Sequence, residues 1–246
     1  MTARIAIILG ATGGFGRACV QILVGSGWQV FAVARDADRL DVIRRSIPNV
    51  QTVQLDLGAS GAVLKLSKVA PRADLIVHAA AETRFAPFCD LDAKSIAEDL
   101  SLNLTSLVVI LEHYLPSMMV NRSGAVLTMS STAALRAAPG IALYAAAKSF
   151  AFSLTRSLAE ELRSEGITLT CCVAGPMDTG FAERIGYPRS GQGASPHYVA
   201  KRALEACLSG KTIVYSDWNA MMRAFLYRSL PDWLVRSLWR RRARVA

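Results

Sequence analysis

Seven short apolar runs, each followed by a stretch long enough for a helix, constrain this chain more than any single motif does. The runs fall near 4–9, 28–34, 51–55, 74–78, 124–130, 167–173 and 212–216. Helices are expected in the gaps, near 15–25, 36–46, 59–70, 93–115, 143–165 and 196–209. Strands joined by crossovers of that length pair in parallel, and the intervening helices cover both faces of the sheet. The alternation therefore predicts one α/β domain on a doubly wound parallel sheet of about seven strands. A hydrophobic fraction of 52% over 246 residues suits a sheet buried on both sides. There is no internal repeat and no low-complexity linker to divide the chain.

Composition excludes several classes. Five cysteines, odd in number and without paired metal spacing, argue against a disulfide framework and for a reducing compartment, the cytosol. Cys171 and Cys172 are adjacent on a predicted strand, so they point to opposite faces and read as packing residues. No cluster of His, Cys or carboxylates has metal-ligand spacing, so no metal is expected. No apolar stretch reaches about 18 residues, the length of a membrane span. Arg4 followed by Ile5-Ala6-Ile7-Ile8-Leu9 imitates a short signal peptide, but the glycine turn that follows makes it the first strand. His78 ends a buried strand and is expected to be a hydrogen-bonded core histidine, not a catalyst.

The first strand runs directly into Gly10-Ala11-Thr12-Gly13-Gly14-Phe15-Gly16, and a helical segment follows. Strand, glycine turn and helix N-terminus together make an anion site. Backbone N–H groups without intrahelical partners converge there, and the helix dipole favours a diphosphate. The glycines let the backbone approach the ligand and let the helix pack closely on the strand.

Tyr144 and Lys148 are four residues apart in a helical stretch, and Ser131 lies thirteen residues before the tyrosine. Residues i and i+4 share a helix face, so the ammonium of Lys148 can lie beside the phenol of Tyr144. A free phenol has a pKa of about 10 and is a poor acid-base catalyst near neutrality. A cation about 4 Å away, at an effective dielectric of about 20, is worth roughly 4 kcal/mol, or about three pKa units. Lys148 is therefore expected to depress the tyrosine. Ser131 would hold a substrate oxygen where charge develops.

Taken together, these features resemble the short-chain dehydrogenase/reductase family over roughly residues 4 to 216. The resemblance implies a Rossmann-like fold in which a G-x3-G-x-G turn, here Gly10, Gly14 and Gly16 with Thr12, Gly13 and Phe15, binds a dinucleotide. It implies a catalytic set of Asn103, Ser131, Tyr144 and Lys148. It implies that Asp56, with Leu57, contacts adenine, and that Gly175, Pro176, Met177 and Thr179 hold the nicotinamide. Two departures stand out. The family's Asn-Asn-Ala-Gly after the fourth strand is here His78-Ala79-Ala80-Ala81, which leaves the backbone of Ala79, Ala80 and Ala81 for the nicotinamide ribose. The proline that usually precedes Gly175 is Ala174.

Cofactor choice is read at the end of the second strand. In the family an acid that selects NAD stands where this chain has Ala34, and a following arginine marks NADP users. Arg35 offers a fork of donors suited to a phosphate. Asp36 and the absence of a second basic residue at Gly13 weigh the other way, so NADP(H) is favoured over NAD(H).

Two regions stand apart. Residues 186–196, rich in glycine, proline and serine, are expected to form a loop over the substrate or a passive surface loop. Beyond 216, Trp218, Met221, Met222, Phe225 and Leu226 form an amphipathic helical stripe, and Leu234, Val235, Leu238 and Trp239 resume it after Pro231. From Thr212 onward there are seven arginines and two aspartates, so this stretch carries five of the nine net positive charges. The stripe either packs on its own domain, lines the substrate entrance, makes a subunit contact or lies on an anionic membrane. Nucleic acid is not expected, because no basic reading helix is apparent.

The expected organisation is an oxidoreductase domain over 1–216 and a basic helical extension over 217–246. The expected activity is NADP(H)-dependent reduction of a ketone or aldehyde, or the reverse, on an apolar substrate. The resemblance also implies a homodimer or higher homo-oligomer through the helices near 93–115 and 143–165. The alternative is a dinucleotide-binding sensor or scaffold with little chemistry of its own.

Overall fold

The computed structural model describes residues 3–187 and 192–230. Seven strands, β1 (Ile5–Leu9), β2 (Gln29–Ala34), β3 (Val50–Gln54), β4 (Leu75–His78), β5 (Gly124–Ser131), β6 (Ile167–Ala174) and β7 (Ile213–Tyr215), form one sheet. Its order is β3-β2-β1-β4-β5-β6-β7, and every pairing is parallel. Each strand lies within about one residue of its expected place, because buried parallel strands read as continuous apolar runs.

The helices are α1 (Gly14–Gly25), α2 (Ala37–Ser46), α3 (Ala62–Val69), α4 (Ala93–Leu100), α5 (Ser106–Asn121), α6 (Ala142–Glu161), α7 (Phe181–Arg184), α8 (Pro196–Leu208) and α9 (Trp218–Ser229). Successive strand residues point to opposite faces, and the core splits accordingly. Ala6, Ile8, Val30, Ala32, Leu75 and Val77 pack against α1 and α8. Ile7, Leu9, Phe31, Val33, Ile76 and Val126 pack against α3, α5 and α6. Cys172 joins the first layer, while Cys171 lies near Thr128 and Lys148.

The helix expected over 93–115 is not continuous. A π-helical turn, Ser101–Thr105, separates α4 from α5. Asp92 caps α4, accepting from the Ser95 amide at 2.7 Å. The wider turn is stabilised by side chains that capture its backbone: Asn103 Nδ2 donates to the Asp99 carbonyl, and Ser106 Oγ to that of Leu102. The short α7 has no counterpart in the sequence expectation, since four residues are too few for a periodic signal.

Helix α9 forms within the expected stripe, capped by Asp217, which accepts from the Ala220 amide at 2.8 Å. It meets the domain through Ala220 and Ala224, each buried to 1% exposure. The later part of the stripe, Leu234 to Trp239, lies outside the described residues, as do 188–191 of the loop expected over the substrate.

Candidate active site

Strand order changes sense between β1 and β4, and in such sheets a crevice opens at the C-terminal ends of the strands on either side of that point. Leu9 and His78 are in register, so the two chains leave the sheet side by side. Three glycines after β1 permit the close approach. Gly10 has φ +83°, and a Cβ on it would lie 2.6 Å from the Ala80 nitrogen. A Cβ on Gly14 would lie 2.8 Å from Cγ2 of Thr179, and one on Gly16 would lie 2.3 Å from the Gly10 carbonyl oxygen. Helix α1 starts there with Gly13 as N-cap and no side-chain cap, while Phe15 is buried in the core beneath.

The proton-handling residues gather beside this turn. Ser131 ends β5 and caps a 3₁₀ turn, Thr132–Leu135, by accepting from the Ala133 amide at 3.1 Å. Its hydroxyl also lies near enough to the phenol of Tyr144 to favour the ionised form there. On α6, the ammonium of Lys148 lies 5.5 Å from the centre of the Tyr144 ring. Ser130 Oγ donates to the Lys148 carbonyl at 2.7 Å, which fixes α6 against β5. Asn103 lies in the π-helical turn, which packs on α6. Its side chain is committed to the loop after β4: Nδ2 donates to the Glu82 carbonyl at 2.7 Å and Oδ1 accepts from the Glu82 amide at 3.3 Å.

The electrostatics differ from the sequence expectation. Tyr144 is not depressed; burial pushes its phenol up to about 12, and the nearby Ser131 hydroxyl pulls it only part of the way back. Burial brings Lys148 down to about 8. Both shifts have one cause, the cost of holding either charged form away from water. The ammonium also lies over the ring, 5.5 Å from its centre. At neutral pH this leaves a protonated phenol beside a charged lysine that gives up its proton readily.

At the other end of the crevice, Arg35 donates to the carboxylate of Glu82, at 2.8 Å to Oε1 and 2.7 Å to Oε2. Asp36 is spent capping α2, accepting from the Arg39 amide at 3.0 Å. The Arg39 guanidinium reaches back to the Thr12 carbonyl. Asp56 accepts from the Gly58 amide at 2.9 Å, and Leu57 is buried. Gly175 donates to Ser216 Oγ at 2.9 Å. Residues 176–178 are stitched to the far limb of the 186–196 loop: Ala194 donates to the Pro176 carbonyl at 2.9 Å, and Met177 bridges Ala194. Among the described residues no group of His, Cys, Asp or Glu is placed to hold a metal.

Residues 4–189 match the family described as short chain dehydrogenase. The chain belongs to that family. Among its relatives, an uncharacterized oxidoreductase of Myxococcus xanthus is 30% identical over 98% of both chains. L-xylulose reductase of Cavia porcellus is 32% identical, over 66% of this chain and 67% of its own. A short-chain dehydrogenase from Sphingobium yanoikuyae, solved in complex with NADPH, shares the fold with a TM-score of 0.81 at 21% identity, covering 93% of this chain and 96% of its own. The protein is thus an oxidoreductase of the short-chain dehydrogenase family.

Within this family member, Glu82 and the apolar surround of Tyr144 had no signal in the sequence, whereas His78 is the hydrogen-bonded buried histidine expected there. Glu82 joins Arg35 to Asn103 across the crevice, a contact between residues far apart in the chain. His78 replaces the family's asparagine, and its Nε2 lies 2.9 Å from Ser106 Oγ. Because that hydroxyl donates to the Leu102 carbonyl, His78 is the donor in their bond, as the Nε2–H tautomer. Finally, Tyr144 has an apolar surround, with Phe181 at 5.6 Å between ring centres and Phe85, Ile185 and Tyr187 in the same small cluster. Phe85 stacks edge-on against Tyr187 at 5.3 Å.

Proposed function

We propose that the chain is an NADP(H)-dependent carbonyl reductase acting on apolar ketones or aldehydes. One observation carries the reading: a buried lysine, a protonated phenol and a serine hydroxyl converge beside a glycine turn that has no room for side chains. The crowding at Gly10, Gly14 and Gly16 fits a dinucleotide lying against bare backbone. The residues assigned to hold it are Gly10, Thr12, Gly13, Gly14, Phe15 and Gly16 at the diphosphate, Arg35 at the 2′-phosphate, and Asp56 and Leu57 at adenine. Ala79, Ala80, Ala81, Gly175, Pro176, Met177 and Thr179 then surround the nicotinamide half.

When bound, NADPH supplies the hydride that reaches the carbonyl carbon. Ser131 orients the carbonyl oxygen by hydrogen bond, and Tyr144 donates the proton that converts it to an alcohol. A phenol near 12 keeps that proton until negative charge develops on the substrate oxygen, which suits reduction better than oxidation. Lys148 holds the ribose hydroxyls and, with its pKa near 8, returns a proton to Tyr144. Asn103 positions the loop around Glu82 and serves the relay behind Lys148. The Phe85, Phe181, Ile185 and Tyr187 surround favours an apolar substrate. We further assign the protein to the cytosol, as a homodimer formed through α4, α5 and α6, where Val108, Met119 and Val120 are exposed.

The test is turnover of NADPH with a panel of bulky ketones by wild type and Tyr144→Phe. Loss of a general acid costs roughly 10²–10⁴-fold in rate, while NADPH affinity is expected to stay within about twofold. Equal rates in both proteins would remove Tyr144 as proton donor. NADPH binding without turnover by either protein would favour the sensor alternative.

A further inference from the structure

Helix α9 turns four of its large side chains away from the protein. It docks through Ala220 and Ala224, and so closely over Gly175 that a Cβ there would lie 3.3 Å from that of Ala220. On the outer side Trp218 is 69% exposed, Phe225 64%, Leu226 43% and Met222 38%. Spacings of four, three and one residues put these four on one side of a helix. The helix is anchored in this orientation by the Asp217 cap, and the Arg136 guanidinium lies 4.9 Å from the Tyr227 ring centre. An apolar stripe thus faces solvent, where the hydrophobic effect opposes it.

Two further observations say what covers it. After Leu230 the sequence continues for sixteen residues that hold Arg236, Arg240, Arg241, Arg242 and Arg244, with Asp232 the one acid. The partner is therefore both apolar and anionic. Four side chains of this size and exposure offer on the order of 450 Å², against about 800 Å² per partner for a standard protein interface. A nucleic acid would pair with the arginines but offers little to Met222 or Leu226. Lipid headgroups over acyl chains satisfy both requirements, and tryptophan is at home at that boundary.

We propose that α9 docks on the surface of an anionic phospholipid bilayer, with Trp218, Met222, Phe225 and Leu226 entering the headgroup–acyl boundary. This goes beyond the catalytic reading and does not depend on it. Because α9 packs on the 3₁₀ turn that follows Ser131, the docked face would lie next to the site of reaction.

Co-sedimentation of the full chain is the test. Vesicles of phosphatidylcholine alone are compared with vesicles containing about one third phosphatidylglycerol. Wild type should bind the anionic vesicles at least about tenfold more tightly, with binding weakened by salt. The double variant Trp218→Glu, Phe225→Glu should lose at least about tenfold, with an unchanged circular dichroism spectrum, since both positions are exposed. Equal binding to the two vesicle types, no pelleting, or a variant that pellets like wild type would each overturn the proposal. So would a dimer that the variant dissolves without any vesicle binding, or a preference for duplex DNA over vesicles.

Discussion

At the scale of single residues, the site is organised around what each side chain has already been given to hold. Asp36 and Asp56 are occupied by backbone amides, so Glu82 is the carboxylate that faces Arg35. On the proposed reading, a 2′-phosphate held by Arg35 would have to compete with it. Exposed pairs of this kind are worth up to about 1 kcal/mol, or about fivefold in affinity. Glu82→Gln is accordingly expected to tighten NADPH by about threefold to fivefold while leaving NADH unchanged, and Arg35→Ser to weaken NADPH selectively by about tenfold. Titration of nucleotide binding by fluorescence checks both, and an Arg35→Ser protein that still prefers NADPH would point to another phosphate ligand. That Lys148 and Ser131 come close to Tyr144 was legible, because the motif spacing places them together. The direction of the tyrosine shift was not, because spacing gives neighbours but says nothing of burial.

At the scale of elements, the link between β4 and α5 rests on a histidine that cannot afford a charge. Burial, with the nearby Lys148 ammonium, lowers His78 from 6.5 to about 3. A base whose folded pKa is depressed contributes full stability above its unfolded value, and that stability is lost as pH falls below it. For His78 the loss begins near pH 6.5 and continues toward pH 3, reaching about 2 kcal/mol at pH 5. Urea unfolding at pH 7 and pH 5 should show that loss in wild type and not in His78→Gln; the same loss in both would exclude this residue as its source. The strands and most helices were readable from hydrophobic period alone. The π-helical turn was not, since it arises from side-chain capture of carbonyls by Asn103 and Ser106 and leaves no mark on the apolar pattern. Nor does periodicity say which flank of α9 meets the domain: the two small alanines do, because they permit close packing over Gly175.

At the scale of the whole molecule, a seven-stranded sheet brings to one edge groups drawn from about two thirds of the chain, from Gly10 to Thr179. The alternation of strand and helix made that sheet legible, since crossover length and the two-sided apolar runs leave few other arrangements. What alternation leaves open is how tightly the loops above the sheet come together. The contact between Gly14 and Thr179 is an instance, for these positions are separated by most of the domain yet leave no space for one more carbon between them. Mutation should therefore treat them as a pair. Bulk added to the first forces the second to retreat, so a larger residue in the opening turn is tolerable only with a smaller one on the opposite lip, and neither position drifts alone.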